Sequence, residues 1–167
     1  YDLPAAIGAW TASRDKGCYC QGGDRSGDDL ILVTGDGSMQ MNLQELQTII
    51  HHRMGIKIFV INNGGYHSIR QTQKNFFGEP LIGIGVDSGD LSFPALDKLA
   101  AAYGYPYVSA RHNSELGEAV EKTLAAEGPV ICEVFVSMDQ NFEPKSSAKR
   151  LPDGTMVSPP LEDLSPF

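Results

Sequence analysis

Two stretches of this chain decide its fold: residues 29–38, which read DLILVTGDGS, and residues 55–66, which read GIKIFVINNGGY. Each is a short apolar run that ends in a glycine-rich turn, which is typical of a buried strand followed by a sharp change of direction. Between them, apolar residues recur at the spacing of one helix face: Leu43, Leu46, Ile50 and Met54. The order strand, helix, strand predicts a parallel βαβ unit with a right-handed crossover.

The helix of this unit carries its own end signals. Asn42 is a suitable N-cap, and Glu45 three residues later is a suitable capping-box partner. Gly55 follows the last apolar position of the helix. We therefore expect a helix of about three turns that starts after Asn42 and ends before Gly55.

The rest of the chain repeats the alternation of helix and strand. Apolar spacing predicts helices near residues 3–13, 94–104 and 114–127, and strands at 107–109 and 130–136, with a glycine-rich loop at 16–29. Together these elements predict an α/β fold: a doubly wound, mostly parallel sheet flanked by helices, spanning residues 1–138. Residues 139–167 hold five of the ten prolines and no periodicity. We expect an irregular tail that wraps over the domain or is partly mobile.

Composition excludes several functional classes. The formal net charge of −8 over 167 residues argues against nucleic acid or anionic lipid as a partner. No apolar stretch is long enough for a membrane span. Three cysteines cannot all pair, which favours reduced thiols and a cytoplasmic location. Cys18 and Cys20 are interpreted as loop thiols, with a soft metal as the alternative.

The chemistry is expected where the two glycine-rich turns meet, because ligands of open parallel sheets bind at the carboxyl ends of the strands. Asp36 offers a carboxylate, Asn63 an amide oxygen, and Gly64 and Gly65 bare carbonyls. These are hard oxygen donors of the kind that suit Mg²⁺ or Ca²⁺, and Mg²⁺ with few protein ligands implies a phosphorylated ligand. The alternative is that both turns are purely conformational, as Asp-Gly and Asn-Gly turns often are.

The two turns also resemble a known signature. Gly35-Asp36-Gly37-Ser38, then 24 residues counted from Ser38 to Ile61, then Asn62-Asn63, is similar to the thiamine-diphosphate motif of GDG, a spacer and NN. Flanking segments match as well: LPAAIGA at 3–9, Gly65-Tyr66, and LED at 161–163. The chain resembles the C-terminal, diphosphate-binding domain of acetolactate synthase-like enzymes over essentially its whole length.

The resemblance implies a role for each matching residue. Asp36, Asn63 and the carbonyl of Gly65 would hold Mg²⁺. The thiamine diphosphate would be held by Gly35, Gly37, Ser38 and the amides near Tyr66 and His67. The His67 side chain would either donate to phosphate or substrate or leave that to its amide. No catalytic residue is expected in this chain, because the cofactor carries the chemistry.

The resemblance further implies decarboxylation of a 2-oxo acid substrate and transfer of its two-carbon unit to an acceptor. It implies as partners a pyrimidine-binding domain of the same or a neighbouring subunit, and a homo-oligomer. We expect the chain to be part of a longer polypeptide and to be inactive alone. Ile69 stands where pyruvate-decarboxylase-type members carry glutamate, which favours the synthase group.

Three alternatives stay open at this point. The first is another thiamine-diphosphate-dependent 2-oxo acid decarboxylase or oxidase. The second is a non-catalytic assembly module that keeps the fold for subunit packing. The third is a phosphate or nucleotide hydrolase that uses Asp36 and Mg²⁺, but no nucleophile or base is evident in either turn.

Overall fold

The protein is described here by a computed structural model that covers residues 1–14, 29–146 and 148–164. The helices are α1 (Asp2–Arg14), α2 (Asp36–Gln40), α3 (Glu45–His51), α4 (His67–Phe76), α5 (Leu96–Tyr103) and α6 (Asn113–Ala125). The strands are β1 (Leu30–Gly35), β2 (Ile56–Asn62), β3 (Tyr107–Ala110), β4 (Val130–Phe135), β5 (Lys149–Arg150) and β6 (Met156–Val157). The Cys18–Cys20 pair and the predicted loop before Asp29 lie outside the described residues.

Four parallel strands form the central sheet, in the order β1-β2-β4-β3. β4 is the last of these four strands along the chain but lies between β2 and β3, so the chain crosses over the sheet in both directions. This arrangement confirms the predicted α/β fold with a parallel sheet flanked by helices. β5 and β6 form a separate short antiparallel pair in the C-terminal segment.

Helices cover both faces of this sheet. On one face, α1, α3 and α5 contribute to a large apolar core that includes Leu3, Leu46 and Ile58. On the other face, Ala119 of α6 packs with Phe59 and Cys132 in a smaller cluster. Side chains alternate between the two faces of a strand, which is why the neighbours Ile58 and Phe59 belong to different clusters. No helix among the described residues is both long and apolar enough to cross a membrane.

The start of the central helix differs from the prediction. α2 begins directly at Asp36, a turn follows, and α3 begins only at Glu45. The residue before α3 is Gln44, which has helical backbone angles and makes no capping hydrogen bond with its side chain. The Glu45 carboxylate accepts a 3.0 Å hydrogen bond from Thr48 Oγ1. The predicted cap at Asn42 is therefore wrong, because consecutive turns from Asp36 leave no extended residue there to cap a helix.

The register of β1 against β2 sets the site. Gly35 pairs with Ile61 at the carboxyl ends of these two strands. The chain therefore leaves both strands at the same edge of the sheet, at Asp36 on one strand and at Asn62-Asn63 on the other. α4, which the sequence analysis did not predict, begins four residues after Asn63.

Candidate functional site

Asp36 lies where the chain passes from β1 into α2, and only 7% of the residue is exposed. Its Oδ1 accepts a 3.0 Å hydrogen bond from the N–H of Gly37, whereas its Oδ2 has no partner within the described residues. Burial raises the pKa of this carboxyl, and the N–H groups of Gly37, Gly65 and Gly64 lower it. Because burial is the larger effect, a neighbouring cation would favour the ionised form of this carboxyl.

The turn after β2 lies beside Asp36, because Asp36, Asn62 and Gly64 line one cleft. In this turn the Oδ1 atom of Asn63 is buried and, among the described residues, has no hydrogen-bond partner. Gly65 has a φ of +146°, and a Cβ there would stand 2.1 Å from the carbonyl oxygen of Ile84. Only glycine fits this position, so the close approach of the turn to its neighbours depends on it.

A segment of the loop after α4 holds this turn in place. The N–H of Tyr66 donates to the carbonyl of Ile84 over 2.7 Å, and the N–H of Val86 donates to the carbonyl of Gly64 over 3.2 Å. The sequence analysis placed the Tyr66 amide against the diphosphate, whereas in the structure this N–H already has an acceptor. The N–H groups that lack intrahelical partners start one residue later, in the first turn of α4.

Arg70 of α4 ties the same turn to the loop from inside, and the sequence analysis missed it. The residue is fully buried, and its Nε and Nη2 donate to the two carboxylate oxygens of Asp87 over 2.8 and 2.9 Å. Nη2 also lies 3.2 Å from the carbonyl of Gly64, and Nη1 lies 3.3 Å from the carbonyl of Asn63. The Arg70 hydrogen bonds hold the pKa of Asp87 below its ordinary value. This fork fixes the two peptide groups that directly follow the Asn63 side chain.

A cavity of about 450 Å³ opens beside the two turns. Its lining includes most of the residues predicted to hold the cofactor: Gly35, Gly37, Ser38, Asn63, Gly65, Tyr66 and His67. A Cβ at Gly37 would come within 2.6 Å of the Tyr66 ring, whose hydroxyl lies 3.4 Å from the Gly37 carbonyl. The ring of Tyr66 therefore packs on bare backbone, and its contribution here is a wall of the cavity.

His67 is the first residue of α4, and it is 5% exposed. Its Nδ1 lies 3.3 Å from Nη1 of Arg70, and its ring packs edge-on against Phe142 at 5.0 Å between centroids. Burial, followed by the Arg70 charge, lowers the pKa of the imidazole, while the backbone of Gln140 acts in the opposite direction. The ring is therefore neutral near pH 7, and its Nε2 forms no hydrogen bond within the described residues.

Unpartnered polar atoms are concentrated at this place. Four buried side-chain nitrogen or oxygen atoms lack a partner within the described residues, and three of them belong to Asp36, Asn63 and His67. No group of three His, Cys, Asp or Glu side chains within the same residues is arranged to bind a metal. A carboxylate and an amide oxygen beside backbone carbonyls are instead a donor set for a hard cation such as Mg²⁺.

Comparison with known proteins agrees with this geometry. The family described as "Thiamine pyrophosphate enzyme, C-terminal TPP binding domain" matches residues 1–134. The chain belongs to this family. Thiamine pyrophosphate is thiamine diphosphate, the cofactor that the GDG and NN turns indicated.

Individual relatives of this C-terminal TPP-binding domain are named as enzymes with different activities, namely synthases and decarboxylases. The acetolactate synthase large subunit of Cyanidium caldarium is 33% identical over 144 residues, which is 86% of this chain and 22% of the relative. A pyruvate decarboxylase of Aspergillus parasiticus is 52% identical over 66 residues, which is 40% of this chain and 11% of the relative. The solved structure of the thiamine diphosphate-dependent 4-hydroxybenzoylformate decarboxylase of Rhodococcus jostii RHA1 superposes with a TM-score of 0.65 at 26% identity, covering 84% of this chain and 23% of that one.

The chain thus spans about a quarter or less of the length of these relatives. The resemblance read from the motif spacing is confirmed at the level of the family and the fold. The domain belongs to a family of thiamine-diphosphate-dependent enzymes, among them acetolactate synthases and decarboxylases.

A second polar network behind the turn was also missed by the sequence analysis. Asn62 accepts a 3.0 Å hydrogen bond from the N–H of Gly64 and donates a 2.6 Å hydrogen bond to Glu133. The hydroxyl of Tyr107 donates to the other oxygen of Glu133. Burial, followed by this hydrogen bond and the Glu133 charge, raises the pKa of Tyr107. Asn62 therefore shapes the turn, while the side-chain oxygen of Asn63 has no partner within the described residues. Glu133 stood out only as an acidic residue inside an apolar strand.

The first part of the C-terminal segment lies along α4. Gln71 donates to the Asn141 side chain over 2.7 Å, and Lys145 donates to the Gln71 side chain over 3.3 Å. Phe142 lines the same cavity as His67. Phe142 of this segment therefore forms part of the wall of the candidate site.

Proposed function

We propose that this domain binds the diphosphate of thiamine diphosphate through Mg²⁺ as part of an acetolactate synthase-like enzyme. Asp36, Asn63 and the carbonyl of Gly65 would hold the metal. The observation that carries the proposal is the pair of unpartnered buried oxygens, Asp36 Oδ2 and Asn63 Oδ1, at the ends of two adjacent strands. Buried acceptors without partners are costly, and a hard cation between them removes that cost.

The diphosphate end of the cofactor would occupy the cavity beside these oxygens. Gly35 and Gly37 leave backbone without side chains on one side, and Ser38 adds an exposed hydroxyl at the cavity wall. The N–H groups of the first turn of α4, starting at His67, carry a partial positive charge that would favour the diphosphate anion. The ring of Tyr66 closes the space against Gly37.

The reaction of the whole enzyme is part of the same proposal. When bound, thiamine diphosphate supplies the electron sink that allows a 2-oxo acid to lose CO₂ and pass on its two-carbon unit. This domain would anchor and orient the cofactor and provide no catalytic residue of its own. The acetolactate synthase relatives, which match most of this chain, support the transferase reaction.

A second candidate is a simple 2-oxo acid decarboxylase. Two observations favour it: the stretch that is 52% identical to a pyruvate decarboxylase and the structural similarity to a 4-hydroxybenzoylformate decarboxylase. The metal and diphosphate contacts of this domain would be the same in both cases. Product analysis of the full-length protein distinguishes them, since a decarboxylase releases an aldehyde and a synthase releases a longer 2-hydroxy-3-oxo acid.

We also propose that a pyrimidine-binding domain, from the same or a neighbouring subunit of a homo-oligomer, completes the site. Val33 and Ile69 both line the cavity, yet they are 64% and 47% exposed, and Ile31 next to them on β1 is 57% exposed. Apolar side chains grouped in this way are typical of a surface that another domain covers.

The free, buried Cys132 is compatible with the cytoplasmic location that the cysteine count suggests.

Thermal unfolding of the full-length protein tests the metal and cofactor proposal. Mg²⁺ and thiamine diphosphate together should raise the melting temperature, because at about 100 times Kd a ligand adds about 2.7 kcal/mol to the stability of the folded state. Each ligand alone should have little effect. Asp36→Ala should abolish the shift, and Glu121→Ala, which removes an exposed carboxylate on α6, should preserve it. A shift that survives Asp36→Ala would refute the assignment of Asp36 to the metal, and no shift at all would favour an assembly module.

A further inference from the structure

The fold determines which nitrogen of His67 carries the proton. Nδ1 lies 3.3 Å from Nη1 of Arg70. A guanidinium has only donors and stays charged in proteins, so Nδ1 must be the acceptor of this hydrogen bond. In the neutral imidazole the proton is then on Nε2. Arg70 is itself held by both oxygens of Asp87, which keeps this arrangement in place.

The resulting Nε2–H is a buried donor without a partner. The residue is 5% exposed, and Nε2 forms no hydrogen bond within the described residues. A buried donor that lacks an acceptor destabilises the protein, so this side chain is suited to a ligand that supplies one. Ser38, Asn63 and Gly65 line the same cavity as His67.

The surroundings of the ring favour a negatively charged acceptor. The guanidinium of Arg70 lies 3.3 Å from Nδ1, and the ammonium of Lys145 donates to Gln71 of the same helix. His67 is also the first residue of the ten-residue α4, whose N-terminus favours anions. The missing partner of Nε2, the neighbouring basic side chains and the helix N-terminus all favour an anionic oxygen.

We propose that Nε2–H of His67 donates a hydrogen bond to an anionic oxygen of the ligand in this cavity, in the tautomer that Arg70 imposes. The inference rests on the function proposed above. Two sources supply such an oxygen: the terminal phosphate of the cofactor and the carboxylate of the 2-oxo acid. Arg70 acts through His67 and is a positioning residue.

Matched variants of the full-length protein identify the source. His67→Leu removes the donor, His67→Gln keeps an N–H donor on a side chain of comparable reach, and His52→Leu is the control, an exposed histidine beyond the end of α3. If phosphate is the acceptor, His67→Leu raises the calorimetric Kd of thiamine diphosphate in excess Mg²⁺ by roughly 10- to 100-fold, as for a hydrogen bond to a charged group. If the carboxylate is the acceptor, this Kd is unchanged, and KM rises by the same factor for the best substrate in a screen that includes pyruvate and benzoylformate.

His67→Gln should recover part of whichever loss is seen, and His52→Leu should show none. A His67→Leu protein whose Kd and KM both stay within about twofold of wild type overturns the inference, since a hydrogen bond to a charged group contributes more than that. Circular dichroism of each variant without ligand separates a folding defect from a binding defect. Asp36→Asn keeps the two proposals apart. If it abolishes binding while His67→Leu does nothing, only this inference fails, and if it leaves binding intact, the proposed function fails.

Nitrogen NMR provides a readout that is independent of activity. In protein labelled with ¹⁵N-histidine, His67 should show a protonated Nε2 and an unprotonated Nδ1 near neutral pH. Arg70→Lys keeps a donor beside Nδ1, so the same tautomer should persist in this variant. A protonated Nδ1 in the wild-type protein would overturn the inference.

Discussion

Replacement of Gly65 by alanine should disrupt the candidate site through the backbone alone. Gly65 has a φ of +146°, and a Cβ there would lie 2.1 Å from the carbonyl oxygen of Ile84 and 2.8 Å from Cα of Gly85. Ile84 accepts the 2.7 Å hydrogen bond from Tyr66 that fixes the turn. Because both obstacles are backbone atoms, the loop must move away and this hydrogen bond must break.

The cost can be worked out term by term. A non-glycine residue in this backbone region costs on the order of 1–3 kcal/mol. The broken hydrogen bond adds about 1 kcal/mol, which brings the expected loss in the free energy of unfolding to about 3 kcal/mol. Gly83→Ala is the matched control: its φ is +65°, and a Cβ there would meet nothing within 4 Å. That control should cost only about 1–2 kcal/mol.

Urea unfolding of the two full-length variants measures the difference. With an m-value of about 1–3 kcal/mol/M, Gly65→Ala should lower the midpoint by roughly 1–3 M. It should also abolish binding of thiamine diphosphate in the presence of Mg²⁺, while Gly83→Ala binds like the wild type. Equal midpoints for the two variants would refute the argument from the Ile84 contact, and so would tight cofactor binding by Gly65→Ala.

Two further predictions concern the buried charges. Arg70 lowers the pKa of Asp87 below its ordinary value of 3.8, so the ion pair stabilises the fold above that pH, and this stabilisation is lost as the pH falls through the lowered value. The difference in unfolding free energy between wild type and Asp87→Asn, measured in urea, should therefore be largest at neutral pH and disappear on acidification. A difference that does not vary with pH would contradict this prediction. Lys57 is fully buried and donates to the carbonyl of Gly128 over 2.7 Å. Lys57→Met should lower the unfolding free energy by about 2 kcal/mol, whereas Lys122→Met, at an exposed position, should lower it by less than about 0.5 kcal/mol. Equal losses in the two variants would show that burial of the Lys57 ammonium group does not matter for stability.

Much of the site could be predicted from local sequence because its two turns are local features. An apolar strand followed by Gly35-Asp36-Gly37 predicts a turn with a carboxylate whatever the rest of the chain does. The same holds for the Asn62-Asn63 turn after β2. Parallel pairing then brings the two turns to one edge of the sheet, which is why Asp36 and Asn63 were identified as candidates without coordinates.

The partners of these turns could not be predicted in the same way. Arg70 and Asp87 are 17 residues apart in the chain, and Asn62 and Glu133 are 71 apart. An arginine in a polar helix or a glutamate in a strand is ordinary in sequence, and only the packed structure shows that each is buried on a specific acceptor or donor. The helix cap assigned to Asn42 failed because helical turns start already at Asp36, earlier than the local pattern indicates.

By itself the sequence determined the alternation of strands and helices, the two glycine-rich turns and the family to which they belong. These follow from backbone preferences and from the spacing of apolar residues, which act over a few positions along the chain. Only the tertiary structure decided the order of the strands, the use of the Tyr66 amide by Ile84 and the tautomer of His67. Those properties depend on which groups, distant in the chain, are packed together in the folded protein. Buried polar groups have no water to bond, so their hydrogen-bond partners are set by that packing.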